Sequence, residues 1–439
     1  MFEKKIVAER GNFTLHAIKT DKFKMSRLSF NFILPADREK SPLTKLMLAV
    51  MMRGSEKYRS VVEINRRLDE FYGATVTWRT NSVGGRHVFR ISCEMLNNRY
   101  RFDGDNIDIA SGVASIILEI LLNPLKNENG LLCESNIASE KKIAIDALRA
   151  KINDQKAYSA DQCRKYMLGD DISGISSEGS IEQIENFSAE ELTENINYFL
   201  ENSVLECYYV GEEEPEDIAR LISDAFVKVN RRKCEIPLTE KAFLPENTEE
   251  KEIDEIMDVS QGRLNVGCIC RTIMSDEDYY AMNLFNEIFG GSSTAKLFMN
   301  VREKQSLCYY CYSSFHSANG TLMINCGIKK ENKERALAEI RNQLSAMQKG
   351  DFSDGEIATA KKTIISGMRQ INDSPSALEA FSFRRLLAGV GDQLDYAIAQ
   401  VENVSREEIM EAAKKVSINT VYFLCGERDD YLEEECADE

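Results

Sequence analysis

Apolar and polar residues alternate along several short segments of the first half of the chain, which is the period of a half-buried β-strand. Longer stretches with apolar residues three and four positions apart indicate amphipathic helices. The expected strands are residues 13–18, 25–34, 74–80 and 87–94, and the expected long helices are residues 61–71, 107–122 and 136–151. Strands interspersed with helices in this way predict an α/β domain with a sheet covered by helices.

The same pattern returns in the second half of the chain. Ser188 begins the capping-box sequence S-A-E-E, and Ser405 begins S-R-E-E, 217 residues later. In each half this box opens a helix that leads to an apolar strand. Residues 91–93, I-S-C, are echoed by I-N-C at residues 324–326, an offset of 233 residues. We therefore expect a duplicated α/β domain, with an insertion in the first copy at residues 97–108.

A polar segment separates the two copies. Residues 231–254 carry a run of charges together with Pro237 and Pro245, a composition typical of a connection between domains. The expected organisation is therefore an N-terminal domain over residues 1–230, this linker, and a C-terminal domain over residues 255–439.

One stretch near the N-terminus is apolar on nearly every side of a helix. Ser41 suits the N-cap, Pro42 the first helical position, and Gly54 the position just beyond the end. A helix without a polar face is predicted to be buried all round.

Charge and hydropathy exclude two classes of partner. The chain of 439 residues has 72 acidic and 55 basic residues, a net charge of −17, which disfavours binding to a nucleic-acid backbone. No apolar run reaches the ~18 residues that span a membrane. The N-terminus lacks the apolar segment of a secretory signal, so we expect a cytoplasmic protein without membrane contact.

The residues that most often bind metals are scattered. His16, His87 and His316 lie far apart, and the twelve cysteines occur mostly singly in apolar segments. Cys308 and Cys311 form a C-x-x-C in an apparent strand, where residues three apart point to opposite faces. We interpret them as small buried side chains, with a redox or zinc role as the alternative.

The end of the buried helix, K-L-M-L-A-V-M-M-R-G, resembles the zinc helix of insulinase/pitrilysin-family metallopeptidases, which reads H-F-L-E-H-M-L-F-K-G. The two histidine positions of that motif fall on Lys45 and Ala49, and the catalytic glutamate falls on Leu48. On a later helix the family pattern has two glutamates seven residues apart. Glu140 matches the first, whereas Ala147 occupies the place of the zinc-binding second. The resemblance implies a chain with no zinc, no other cofactor and no catalytic activity on its own.

A second stretch, F-G-G-S-S-T-A-K-L-F-M-N-V-R-E-K-Q-S-L-C-Y-Y, is similar to the family motif G-G-G-x-S-S-R-L-F-x-x-L-R-E-x-x-G-L-A-Y. Gly290 and Gly291 match its glycine loop, and Arg302 and Tyr309 match the family's paired substrate-binding residues. The resemblance implies that Arg302 and Tyr309 bind the substrate backbone. The alternative is a structural one, with Arg302 as a helix C-terminal charge and Tyr309 as a half-buried strand aromatic. The adjacent Tyr310 leaves open which phenol is concerned.

The chain departs from the second motif at Gln305 and Ser306, where the family tends to carry Arg-Gly. Apart from that, the resemblance extends over essentially the whole chain. It implies an α+β fold of two homologous α/β sandwich domains, as in mitochondrial processing peptidase, each with a mostly antiparallel sheet covered by helices.

Some bacterial members of this family are split between two chains, one with the zinc helix and one with the Arg/Tyr pair. The resemblance therefore implies a non-catalytic, substrate-binding subunit of a heterodimeric zinc peptidase. Its partners would be a zinc-bearing homologous subunit and a peptide or unfolded polypeptide. The overall pattern is similar to the inactive members of a bacterial pair linked to aminopentanol modification of elongation factor P. A stand-alone peptide-binding or scaffold protein is the alternative.

Overall fold

A computed structural model describes residues 3–10, 13–232, 234 and 249–426. The chain divides into two compact units, each assembled from three segments that are far apart in sequence. The N-unit comprises Met1–Arg149, Ile175–Leu238 and Ile371–Leu387, and the C-unit comprises Ala150–Gly174, Thr239–Gln370 and Ala388–Glu439. Residues 233 and 235–248 of the expected linker lie outside the described residues, so the linear division of the chain at 231–254 stays a prediction.

The described residues form eleven strands in two sheets. They are β1 (Glu3–Arg10), β2 (Phe13–Lys19), β3 (Met25–Pro35), β4 (Thr75–Val83), β5 (Arg86–Leu96), β6 (Val204–Gly211), β7 (Lys251–Ile256), β8 (Gly262–Ile269), β9 (Cys308–His316), β10 (Thr321–Ile328) and β11 (Ser417–Cys425). The four strands expected in the first half correspond to β2, β3, β4 and β5.

Fourteen α-helices cover the sheets in the described part of the chain. They are α1 (Lys40–Met51), α2 (Val61–Asp69), α3 (Ile109–Leu122), α4 (Glu134–Ala150), α5 (Gln155–Leu168), α6 (Ile181–Asn186), α7 (Ala189–Asn202), α8 (Glu216–Phe226), α9 (Tyr279–Asn286), α10 (Lys333–Gln348), α11 (Asp354–Gln370), α12 (Pro375–Leu387), α13 (Leu394–Asn403) and α14 (Arg406–Lys414). None of these helices combines the length and the apolar character that crossing a membrane requires.

Apart from the additional edge strand β1 of the N-unit, the two sheets share one topology, which confirms the predicted duplication. The N-unit sheet has the order β1-β2-β6-β3-β5-β4 and the C-unit sheet has the order β7-β11-β8-β10-β9. In both, one parallel pair (β2 with β6, β7 with β11) lies beside otherwise antiparallel strands. The capping boxes at Ser188 and Ser405 are both formed, and each opens a helix that leads into the central strand β6 or β11. Each unit is thus a mostly antiparallel sheet covered by helices.

The connection that follows β5 in the N-unit is longer than the one that follows the corresponding strand β10 in the C-unit. Twelve residues separate β5 from α3, whereas four separate β10 from α10. The longer connection is residues 97–108, the segment in which we expect the insertion.

Helix α1 is buried as its apolar pattern predicts, although it begins differently. Nine of its twelve residues are buried. The expected N-cap at Ser41 is wrong, because the helix begins at Lys40. Asp37 Oδ1 accepts hydrogen bonds from the N–H groups of Glu39 and Lys40 at 2.9 and 2.7 Å. The Ser41 hydroxyl instead accepts a hydrogen bond from the Asp37 N–H at 3.0 Å, so the two residues brace the first turn reciprocally.

A buried carboxylate attaches α12 to the N-unit sheet. Glu379 is fully buried and accepts hydrogen bonds from Arg27 Nε at 2.5 Å and from Ser29 Oγ at 2.7 Å. Arg90 lies 3.6 Å from the same carboxylate. Burial lowers the pKa of Arg27, but the charge and the hydrogen bond of Glu379, with smaller contributions from Glu94 and Cys93, together outweigh this effect and leave the pKa raised. The buried carboxylate and the two arginines therefore compensate one another for the hydration that each loses on burial.

In the C-unit, β9 contains a β-bulge at Tyr309. Cys308 pairs with Ile328 and Tyr310 pairs with Gly327, so Tyr309 is the extra residue. An extra residue reverses the alternation of side chains before it. Cys308 lies opposite Ile328 and Cys311 lies opposite Cys326, two residues away on β10, so both cysteines face the same side of the sheet and the expectation that they point to opposite faces is wrong.

The segment before β9 ends in a strained turn. Helix α9 runs into a π-helical turn, Glu287–Gly291, and a second one, Phe298–Lys304, precedes β9. Ser306 follows with φ of +51°, the left-handed region that favours glycine. Its N–H bonds to the Arg302 carbonyl at 2.9 Å, which closes the helical segment. Glycine, which the motif resembled by this stretch tends to carry at the same position, would suit this conformation better.

We expect Glu379→Ala to lower the free energy of unfolding by about 3–5 kcal/mol, because Arg27 and Arg90 would lose the carboxylate that compensates their burial. Glu94→Ala is the control, since Glu94 bonds the same arginine (Arg27 Nη1 at 2.9 Å) with a side chain that is 52% exposed. That control should cost less than about 1 kcal/mol. Denaturant unfolding of the two variants measures the difference, and equal losses would contradict the analysis.

We expect Ser306→Gly to raise the free energy of unfolding by about 0.5–1 kcal/mol, because glycine relieves the left-handed strain at some cost in unfolded-state entropy. Ser306→Ala keeps the strain and should leave stability within about 0.5 kcal/mol of the parent protein. Thermal unfolding of both variants is the measurement. A gain from alanine as large as that from glycine would show that the hydroxyl, and not the backbone, is responsible.

Candidate functional site

The three zinc-motif positions on α1 are built into the packing of the N-unit. Leu48 is fully buried in the apolar core, and Ala49 is 8% exposed. Lys45 is half-buried, and its ammonium lies 3.2 Å from the Glu178 carboxylate. Lys45 is therefore engaged in an ion pair, whereas Leu48 and Ala49 offer no lone pair to a metal.

The fourth position lies on the surface of α4. Ala147 is exposed, and Ile137 is the one buried residue among the 17 of this helix. The retained Glu140 accepts a hydrogen bond from Arg53 Nε, while Arg53 Nη2 bonds Ser139 Oγ at 2.9 Å. Glu140 thus joins α4 to the residues that follow α1, which is a structural role.

Two of the three histidines have separate local partners. His16 Nε2 lies 2.6 Å from Glu206 Oε2 in a buried pair, and His87 Nε2 lies 3.0 Å from the Ile175 carbonyl. Burial lowers the pKa of both His87 and His316, which favours their neutral forms. Within the described ranges, no group of three or more His, Cys, Asp or Glu side chains is arranged to hold a metal ion.

The glycine loop is shaped by close packing against β9. A Cβ atom on Gly290 would lie 2.5 Å from Ser313 Oγ and 2.7 Å from Ser313 N, closer than real contacts allow. On Gly291 it would lie 2.7 Å from Glu287 Oε2. The approach of β9 therefore explains Gly290, whereas the atom nearest to Gly291 is the end of a flexible glutamate side chain. A role of this loop in binding stays a prediction.

Arg302 and Tyr309 lie on neighbouring elements of the C-unit, because the π-helical segment that carries Arg302 packs against β9. The Arg302 side chain is 42% exposed, with its guanidinium 4.6 Å from the Phe298 ring and Nε 3.7 Å from the Glu303 carboxylate. Tyr309, in the bulge, is 57% exposed. Both side chains can therefore meet a ligand from solvent, although their role in binding stays a prediction.

Tyr310 is in a different environment from Tyr309. It is half-buried, with Lys156 Nζ 4.7 Å and the Arg263 guanidinium 5.9 Å from its ring. Burial raises the pKa of its phenol. Of the two candidate phenols, Tyr309 is the more accessible.

A cavity of about 340 Å³ beside the glycine loop was not apparent from the sequence. It is lined by Glu287, Ser292, Thr294, Glu356 and Thr359 among others. Burial raises the pKa of Glu287, whose Oε1 atom has no hydrogen-bond partner within the part of the chain that the structure describes. A glutamate three residues before a Gly-Gly pair is too common a pattern to have indicated this cavity.

Comparison with known proteins places this geometry in a family. Residues 186–364 match the model of the family described as the Peptidase M16 inactive domain. The chain is 31% identical over 419 residues to a probable inactive metalloprotease, YmfF, of Bacillus subtilis, covering 95% of this chain and 97% of that protein.

Two solved structures share the fold over the full length. A conserved protein from Enterococcus faecalis superposes with a TM-score of 0.87 at 24% identity, covering 97% of this chain and 99% of the other. A peptidase M16 inactive domain from Pseudomonas fluorescens superposes with a TM-score of 0.77 at 16% identity, covering 97% and 98%. The chain belongs to the M16, or insulinase, family of metallopeptidases, as a homologue from which the zinc motif has been lost.

Proposed function

We propose that this protein is the non-catalytic, substrate-binding subunit of a two-chain zinc peptidase. The observation that carries the proposal is a contrast between the two motifs. All four zinc-site positions hold side chains that supply no metal ligand or catalytic base, whereas the Arg/Tyr pair is present and exposed. The two exposed groups match the motif positions at which the family binds substrate, and this match supports a binding role without catalysis.

The exposed pair suits a polypeptide ligand. A guanidinium donates up to five hydrogen bonds and a phenol donates one, and both can reach peptide carbonyl oxygens. Within the described residues β9 pairs with β10 alone, which makes it an edge strand of the C-unit sheet. An extended peptide beside this edge would find backbone groups to pair with, next to Tyr309. We therefore assign a peptide or an unfolded polypeptide as the ligand.

The hydrolytic groups would come from a second chain. A zinc peptidase needs three protein ligands, a bound water and a carboxylate base, and the N-unit supplies none of the ligands. A homologous subunit with an intact zinc helix would provide them. A cytosolic location and a link to modification of elongation factor P stay predictions that these observations do not address.

A stand-alone peptide-binding or scaffold protein is the second candidate. It is favoured by the N-unit core, in which Leu48 packs with no exposed surface, so that the fold is complete without metal or partner. The two candidates differ in one measurement. A zinc-bearing M16 chain from the same genome, co-expressed with this one, should co-elute under the first proposal and elute separately under the second.

We expect the purified chain to contain no stoichiometric zinc and to show background peptidase activity. Leu48→Glu should not restore activity, because the ligands are missing as well as the base. It should also destabilise the protein by several kcal/mol, since it buries a carboxylate in an apolar core. Ala147→Glu, at an exposed helical site, is the matched control and should change stability by less than about 0.5 kcal/mol. Elemental analysis after dialysis is the measurement, and a content of about one zinc per chain would contradict the proposal.

We expect Arg302→Ala to reduce the activity of the complex with the zinc-bearing chain by roughly ten- to a hundredfold, because a charge-assisted hydrogen bond contributes about 1.5–3 kcal/mol. Tyr309→Phe removes a neutral hydrogen bond worth about 1 kcal/mol and should cost three- to tenfold. Peptide hydrolysis rates of complexes at equal subunit occupancy are the measurement.

Two controls accompany these variants. Lys304→Ala removes an exposed cation from the same π-helical segment, where Lys304 bonds Asn300, and should leave the rate unchanged. Tyr310→Phe should have little effect if Tyr309 is the binding phenol. A structural role for Arg302 would instead lower the melting temperature of Arg302→Ala and leave the activity per complex intact.

A further inference from the structure

Three cysteine thiols of the C-unit meet in one cluster. Cys311 on β9 lies directly opposite Cys326 on β10, and both are 1% exposed. The bulge at Tyr309 places Cys308 opposite Ile328, two residues from Cys326 on β10, and so turns Cys308 to the same face as the other two thiols. The three thiols are thus neighbours on one face of the β9–β10 pair.

This arrangement differs from that of other cysteines in the described residues. The thiols of Cys93 and Cys163 donate to backbone carbonyls, of Leu28 at 3.5 Å and Asn265 at 3.6 Å. Burial raises the pKa of each to about 12, which keeps them protonated and unreactive. They behave as small buried side chains, whereas the cluster combines two buried thiols with a partly exposed third.

Cys308 is the thiol that the cluster favours as a thiolate. Hydrogen bonds from Cys311 and Cys326 lower the pKa of Cys308, the charge of Arg302 adds to this, and burial opposes it. The hydrogen bond to Cys308 correspondingly raises the pKa of Cys311 and of Cys326. The thiolate is the nucleophilic form of cysteine, so reactivity is concentrated on the one sulfur of the three that solvent can reach.

We propose that Cys308, Cys311 and Cys326 form a peroxide-sensitive thiol site, in which Cys308 is oxidised first and the cluster ends as a Cys311–Cys326 disulfide. The Cys308 thiolate attacks one oxygen of hydrogen peroxide, forming an S–O bond and breaking the O–O bond. The departing hydroxide takes up a proton and becomes water. Cys308 is then a sulfenic acid, and the peroxide has been reduced by two electrons.

The neighbouring thiols complete the reaction. The sulfur of Cys311 attacks the Cys308 sulfur, an S–S bond forms, and the S–O bond breaks to release hydroxide, which leaves as water with the Cys311 proton. The sulfur of Cys326 then attacks Cys311, and Cys308 departs as a thiolate, the leaving group of lowest pKa. Two thiols and one peroxide thus give one disulfide and two waters.

Strand geometry favours this end product. Residues directly opposite each other on antiparallel strands have Cα atoms about 4.5–5.5 Å apart, which lies within the range that disulfides span. Cys308 is displaced along β9 from that pair, so the Cys308–Cys311 bridge requires a local backbone shift and is the transient intermediate, whereas the Cys311–Cys326 bridge fits the strand pairing. The site does not depend on the proposed function, although it lies beside Arg302 and Tyr309.

The test is to treat the full-length reduced protein with hydrogen peroxide, alkylate the remaining thiols and map the cysteines by mass spectrometry. Residues 305–329 contain all three cysteines and no internal trypsin site, so chymotrypsin, which cuts at the intervening tyrosines, separates them. We expect a disulfide between Cys311 and Cys326 to form faster than oxidation of any other cysteine. All three thiols remaining alkylatable, or the first disulfide forming elsewhere, would overturn the proposal.

Two variants test the order of the steps. Cys308→Ser should slow disulfide formation by at least about tenfold, because the buried thiols lack the reactive thiolate. Cys133→Ser is the matched control, since Cys133 is also partly exposed but bonds only the Leu125 carbonyl within the described contacts, and it should leave the rate unchanged. Equal rates in the parent protein and Cys308→Ser would overturn the assignment of Cys308. An unchanged melting temperature of the reduced variant verifies that the rate reports chemistry and not unfolding.

Discussion

The burial of α1 on every side is the constraint on which the N-unit depends. A helix that carried two histidines and a glutamate toward a metal would present a polar face, and that face would need an open site in front of it. Here Leu48 is fully buried and Ala49 nearly so, while Lys45 reaches Glu178 at the edge of the packing. The apolar side chains at these positions therefore pack into the N-unit, where the family motif has a metal ligand and a catalytic base. Side chains that supply no metal ligand are also those that allow this part of the helix to be buried.

In the C-unit, by contrast, the residues that match the family motif, Arg302 and Tyr309, are polar and exposed to solvent. The Arg302 guanidinium lies over the Phe298 ring, and this contact orients it. Its N–H groups therefore stay available to a ligand, since the neighbouring ion pair with Glu303 is exposed and not buried. Tyr309 is exposed because the bulge takes it out of the regular pairing of β9. The two units therefore differ at their motif positions: Leu48 and Ala49 are packed inside the N-unit, whereas Arg302 and Tyr309 of the C-unit are polar and exposed.

Local signals in the sequence were sufficient for much of this architecture. The capping boxes at Ser188 and Ser405, the alternating strands and the apolar pattern of α1 depend on neighbours within one or two turns, and they formed as predicted. The features that escaped prediction depend on distant residues. The attachment of α12 to the N-unit needs the pairing of Glu379 with Arg27, 352 residues away. The start of α1 was misplaced because Asp37 and Ser41 both suit a cap, and their exchange of hydrogen bonds is decided only in three dimensions.

The bulge at Tyr309 shows most clearly why the candidate site could be predicted only in part. A strand read from sequence alternates strictly, which placed Cys308 and Cys311 on opposite faces. One extra residue against Gly327 and Ile328 changes that assignment, and nothing in the sequence C-Y-Y-C specifies it. The same residue exposes a phenol on one side and brings a third thiol to Cys311 and Cys326 on the other. A single irregularity in strand pairing therefore connects the surface suited to a peptide with the chemistry of the thiols beneath it.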